Sequence, residues 1–229
     1  MSQQRIVLVT GASRGIGFEI ARQLAVRGLR VFLGVRDRAA GEAAASRIPT
    51  AEVLLMDVSQ QESVEKAVRE LSTKVERLDV LVNNAAILLD DTGGVLDLEA
   101  ETLWRTMETN LAGPLRVTQA CLPLLRKSTA PRIINMSSGA GQLAEGLQDW
   151  APAYSMSKTA LNSLTQHFAA ALPEFAINAV SPGWVRTEMG GDAAPLSVEQ
   201  GADTVVWLAT DAPQELTGKF LREREELAW

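Results

Sequence analysis

The stretch "TGASRGIG", Thr10 to Gly17, decides how the rest of the chain is read. It follows the aliphatic run "RIVLVT", which starts at Arg5, and leads into a helical pattern from Ile16 to Arg27 with apolar residues at 16, 20, 24 and 25. Glycines at 11, 15 and 17 therefore lie between a strand and a helix. Missing side chains let a backbone approach a pyrophosphate closely, and the helix start adds N–H donors and the positive end of its dipole. The spacing is not G-x-G-x-x-G, because the wide gap comes first. Three glycines alone would also make a plain turn. Their place after the first strand favours the phosphate cradle.

Outward from this loop, short aliphatic runs alternate with longer helical patterns. Further strands are expected from Arg30 ("RVFLGV"), Glu52 ("EVLLMD"), Leu78 ("LDVLVN"), Arg132 ("RIINMS") and Ala176 ("AINAVS"). Most are nearly continuous in apolar residues, as strands covered on both faces should be. Further helices are expected over Ser59 to Glu76, Leu98 to Leu125 with a bend near Gly113-Pro114, Pro152 to Leu172, and Ser197 to Thr210 with a capping box in "SVEQ". The alternation predicts an α/β fold: a doubly wound, mostly parallel sheet with helices on both faces. With 229 residues and no linker or repeat, one domain over residues 1–229 is the simplest organisation.

Composition narrows the function. A net charge of −6 argues against a general nucleic-acid binder. Cys121 is the only cysteine and His167 the only histidine, so no disulfide and no His- or CxxC-based metal centre is expected. No apolar run reaches a membrane span and "MSQQRIVLVTG" has no signal-peptide core, which points to the cytoplasm.

The second decisive stretch is "YSMSK", Tyr154 to Lys158, which contains the only tyrosine. Four residues is about one helical turn, so both side chains emerge on one face. A free phenol has a pKa of about 10 and is a poor base near neutrality. An ammonium about 4 Å away, at an effective dielectric of ~20, would favour phenolate by ~4 kcal/mol. Lys158 is therefore expected to lower the pKa of Tyr154 and make it a general acid and base.

These two stretches, with "NNAA" (Asn83 to Ala86), Asn110, Ser137-Ser138 and "SPG" (Ser181 to Gly183), follow one another in the order of the short-chain dehydrogenase/reductase family, which the chain resembles over most of its length. The resemblance implies a Rossmann-type sheet of about seven strands, with the coenzyme at the strands' carboxyl ends. It implies that Tyr154 exchanges the proton and Lys158 holds the nicotinamide ribose. Ser138 would bond the substrate oxygen; it is chosen over Ser137 because Gly141 then falls at the family's offset. Asn110 would kink its helix and hold a water leading to Lys158. Asp57 and Val58 would meet the adenine, Asp57 alternatively capping the next helix. Asn83, Asn84, Ala85, Ala86 and Ile87 would form the coenzyme floor; the family usually has glycine where Ala86 stands. Pro182, Gly183, Val185 and Thr187 would meet the nicotinamide side. In family relatives a dimer or tetramer is the default, and the rather long Ser138-to-Tyr154 stretch leans towards monomeric carbonyl reductases.

The end of the second strand reads "LGVRDR". Aligned with the family, Val35 stands at the acidic position that binds the ribose hydroxyls of NAD. Arg36 follows, and Ser13-Arg14 adds a hydroxyl and a second cation. A 2′-phosphate prefers such donors, so NADP(H) is expected over NAD(H), with Arg14 and Arg36 as the clamp. Asp37 is the rival: were the strand to end later, it would face the ribose and NAD would fit. A short Gly/Ala-rich lid after Thr187, with Leu143, Leu147, Trp150, Trp184 and Met189 as apolar walls, leads to the expectation of a tolerant pocket for apolar ketones or aldehydes. The alternatives are an NAD-dependent alcohol dehydrogenase and a non-catalytic dinucleotide-sensing scaffold.

Overall fold

The computed structural model describes residues 4–90 and 93–229. Its first strand, β1 (Ile6–Thr10), shows why the aliphatic runs are continuous. Val7 and Val9 enter one core cluster, while Ile6 and Leu8 enter the other on the opposite face. The same alternation divides Val80 and Val82 from Leu81, and Ile134 from Ile133. Successive strand residues point to opposite faces, and here both faces are dry.

The chain continues through α1 (Gly15–Val26), β2 (Arg30–Val35), α2 (Arg38–Ala45), β3 (Glu52–Leu55), α3 (Gln61–Lys74), β4 (Val80–Asn83), α4 (Ala100–Met107) and α5 (Gly113–Leu125). It closes with β5 (Arg132–Met136), α6 (Pro152–Ala171), β6 (Ala176–Val180), α7 (Val198–Thr210), β7 (Lys219–Arg222) and β8 (Glu225–Glu226). The strand order is β3-β2-β1-β4-β5-β6-β7-β8. All pairings are parallel except β7 with the short β8. Eight strands replace the expected seven or so: the polar ending "GKFLREREELAW" supplies two that carry little apolar signal. The direction of winding reverses between β1 and β4, which opens a crevice at their carboxyl ends.

Helix boundaries differ from the sequence reading for local reasons. The helix α2 has no apolar stripe; it is alanine-rich and starts at the Asp37 cap, whose carboxylate accepts from Ala40 N at 2.8 Å. The helix α3 begins at Gln61 rather than Ser59, because Ser59 donates through N and Oγ to Asp57 Oδ1. The run expected from Leu98 to Leu125 is broken by a π-helical segment, Glu108–Ala112, so the irregularity lies at Asn110 and Gly113-Pro114 simply opens α5. At its C-terminus, α7 is held by two arginines. Arg132 donates to Leu208 O and Ala212 O, and Arg5 donates to Thr210 O.

The capping box expected in "SVEQ" is formed: Ser197 Oγ accepts from Gln200 N, and Gln200 Oε1 accepts from Ser197 N. Ser197→Ala should cost about 1 kcal/mol of stability, read as a lower midpoint with an unchanged slope in urea unfolding.

Candidate active site

The lips of the crevice are stitched by short polar contacts. Thr10 Oγ1 accepts from Asn84 N at 3.0 Å and Ala85 N at 3.1 Å. Asn84 Nδ2 donates to Thr10 O and Gly11 O. Gly11 has a φ of +65°, and a Cβ there would lie 2.8 Å from Ala85 Cα. A Cβ on Gly17 would run into the Asn84 amide. The glycines thus serve two needs, a left-handed turn at 11 and 15 and close packing of α1 against the lip. Asn84, expected as part of the coenzyme floor, spends its amide on holding the loop. Asn83 points away from the crevice, into the layer under α5, and donates to Thr118 Oγ1 and Asn135 Oδ1.

At the end of β2, Val35 is buried in the core beneath α2, where a Cβ on Gly41 would lie 2.5 Å from Val35 Cγ2. Asp37 caps α2, which removes the arrangement in which it would face a ribose. Arg36 is exposed, two residues beyond Gly34, whose carbonyl accepts from Gly11 N at 2.8 Å. It therefore stands beside the glycine loop. Arg14 is exposed and paired at 2.7 Å with Glu188. Ser13 and Ile16 flank it, both half-buried. Asp57 lies in the turn after β3, and Val58 packs against α5 at Gly113.

The helix α6 carries both members of the second motif inward. Lys158 is 2% exposed, and its Nζ donates to Met136 O at 2.7 Å. The same Nζ lies over the Tyr154 ring, 5.4 Å from its centroid. Asn110 is fully buried: its Oδ1 accepts from Ile87 N, and its Nδ2 donates to Ile87 O and Ser157 Oγ. Ser157 Oγ donates in turn to Tyr154 O. The π-helical segment is thereby tied to the turn that bears the tyrosine. The two serines separate cleanly. Ser137 is buried and donates to Asn162 Oδ1 at 2.6 Å, whereas Ser138 Oγ accepts from Ala140 N at 3.1 Å and is near enough to the Tyr154 phenol to lower its pKa. Gly141 presses on α6, where a Cβ would lie 2.6 Å from Lys158 C.

The electrostatics reverse the expected sign. Burial pushes the Tyr154 phenol up to about 12, and Ser138 offsets only part of that. Burial also pushes Lys158 down to about 7. The Lys158 amine donates to the Met136 carbonyl, and desolvation is the largest influence on both groups. Depth of burial has no sequence signature, so the sequence reading overlooked it.

Residues after β6 complete the site. Gly183 takes φ +79°, Val185 is buried, and Thr187 Oγ1 accepts from Gly190 N. Trp184 Nε1 donates to Gly190 O, so the short lid is bonded to itself. Trp150 meets the Tyr154 ring edge-on, centroids 6.5 Å apart. Leu143, Leu147, Trp150, Trp184 and Met189, expected as pocket walls, are all about half-exposed. Among the described residues no helix is long and apolar enough to cross a membrane, and no group of three His, Cys, Asp or Glu side chains is placed to hold a metal.

The model of the short chain dehydrogenase family matches residues 5–196, from the first strand to the lid. The chain belongs to that family. It is a carbonyl-reductase-like member of the short chain dehydrogenases, and hence an NAD(P)-dependent oxidoreductase. The (+)-neomenthol dehydrogenase of Arabidopsis thaliana is 33% identical to it, over 98% of this chain and 97% of its own length. Carbonyl reductase (NADPH) 1 of Sus scrofa is 32% identical, over 100% and 95%. The NADPH-bound carbonyl reductase from chicken fatty liver superposes with a TM-score of 0.88 at 30% identity, covering 99% of this dehydrogenase and 100% of that chain.

The depressed Lys158 value has a measurable consequence. Between about 7 and the ordinary lysine value, the unfolded chain binds a proton that the folded chain lacks, so folded-state stability falls as pH drops through that window. Lys158→Met removes this term. The Tm of the variant relative to the parent should be more favourable at pH ~6.5, below the window, than at pH ~9.5, high within it, as differential scanning calorimetry would show. The bond to Met136 O, lost at both pH values, cancels from that comparison.

Proposed function

We propose that this chain reduces a ketone or aldehyde carbonyl with NADPH, with Tyr154 donating the proton. The observation that carries the reading is the placing of Tyr154 beside Ser138 and over buried Lys158, with Trp150 edge-on to the tyrosine ring. A phenol held near 12 is fully protonated at neutral pH, the form that a reduction consumes. The likeness to carbonyl reductases favours the reductase over the alcohol dehydrogenase. A non-catalytic scaffold has no chemical use for the trio.

Bound NADPH supplies the hydride that reaches the carbonyl carbon. Ser138 donates a hydrogen bond to the carbonyl oxygen, and Tyr154 transfers its phenolic proton there as negative charge develops. Lys158 holds the nicotinamide ribose, and its ammonium form returns a proton towards Tyr154. Asn110 fixes the π-helical segment beside that turn. The NADP(H) assignment rests on buried Val35, exposed Arg36 and the arginine of the glycine loop, and the NADPH-bound chicken carbonyl reductase and the pig carbonyl reductase (NADPH) 1 support it. Arg14 exchanges Glu188 for the 2′-phosphate. An exposed pair of this kind is worth only about 0–1 kcal/mol, so a doubly charged phosphate prevails.

Purified protein should oxidise NADPH with apolar aromatic ketones, aldehydes or quinones, followed by NADPH absorbance. Tyr154→Phe should lower kcat by ~10²–10⁴-fold. A variant as active as the parent defeats the assignment. Arg36→Asp should weaken NADPH binding and shift preference towards NADH, measured as the ratio of the two Kd values.

A further inference from the structure

Two carboxylates cross the mouth of the site in opposite directions. Asp90, in the loop between β4 and α4, accepts from Ala153 N through Oδ2 at 2.6 Å. Ala153 is the second residue of α6 and immediately precedes Tyr154. The first, Pro152, has no N–H, and Ala151 at the cap position offers no side-chain acceptor. The start of α6 therefore depends on an acceptor 63 residues away. In return Asp149, on the approach to α6, accepts from Val95 N through Oδ1 at 2.8 Å, back in the β4–α4 loop. Gly94 leaves room for that carboxylate, since a Cβ there would run into it.

Each segment caps the other. Between the two contacts lie Trp150, edge-on to the Tyr154 ring, and Ala151, which takes φ +46°. A left-handed alanine is strained and persists where its surroundings fix it. The second oxygen of Asp90 is buried without a partner among the described residues.

The geometry points to Asp90 and Asp149 as positioning residues for the carbonyl reduction proposed above. Asp90 sets the first turn of α6, and with it the direction of the Tyr154 phenol. Asp149 holds the Leu147–Trp150 wall against the β4–α4 loop and so shapes the entrance for the substrate's apolar part. Neither side chain touches the reacting atoms.

The test compares Asp90→Ala, Asp90→Asn and Asp149→Ala with the parent, using one small and one bulky apolar ketone. Coenzyme Kd and amide hydrogen exchange are measured alongside. Asp90→Ala should lower kcat about tenfold, as a misplaced acid does, with coenzyme Kd unchanged and faster exchange in the first turn of α6. Asp90→Asn keeps an acceptor oxygen and should restore most of the lost kcat. Asp149→Ala should raise KM for the bulky ketone several-fold over the small one and leave kcat in place. An active parent whose Asp90→Ala and Asp149→Ala variants keep its kcat, KM and exchange overturns the clasp alone; so does Asp90→Asn if it is as slow as Asp90→Ala. A parent that reduces no carbonyl overturns the reading on which the clasp rests.

Discussion

One amine, deprived of water, governs this site. Lys158 lies under the tyrosine ring with its Nζ on the Met136 carbonyl, and no acidic group contributes to its ionisation. A cation in that position has little to compensate its lost hydration, so the site is tuned first by dryness and only then by charge. Dryness acts on the phenol too and keeps its proton in place. Such tuning works only if nothing shifts, because water entering would erase it. The surrounding bonds serve that end: Ser137 to Asn162, Asn110 to Ile87 and Ser157, and Gly141 flush against the helix backbone. The groups are preorganised by the scaffold rather than gathered by the reactants.

The scaffold also explains why coenzyme and substrate meet where they do. Reversal of the winding between β1 and β4 leaves a gap that no crossover helix fills. Thr10 and Asn84 define its floor, the glycine loop one wall, and the lid after β6 the other. The walls touch at Arg14 and Glu188, an exposed contact that yields easily. The reactive end lies opposite, where β5 and α6 deliver Ser138 and Tyr154.

Much of this was legible from residue types alone, and the reason differs by feature. The glycine loop is readable because backbone contact forbids side chains at fixed places, and the doubly covered strands because both faces are apolar. The spacing of Tyr154 and Lys158 is one helical turn whatever surrounds them. What surrounds them was not legible: whether charge or desolvation prevails depends on depth, and Lys158 turned out to be aimed at a carbonyl. The helix α2 escaped because alanines carry no stripe, and β7 and the edge strand β8 because they are short and half polar or wholly exposed. The support from Asp90 comes across a long separation in the chain and has no local signature at all.

The arginines that close α7 bear on how the molecule assembles. Arg5 and Arg132 reach carbonyls at the end of this helix, one of them across 205 positions of chain. Until the central strands lie side by side, those carbonyls have no donor, and the helix has no seat on the sheet. Contacts so distant in sequence form late, because loop closure must precede the gain. On the ribosome, the amino-terminal half is therefore made well before the element that completes its core, and waits with the face that α1 and α2 begin to cover still partly open.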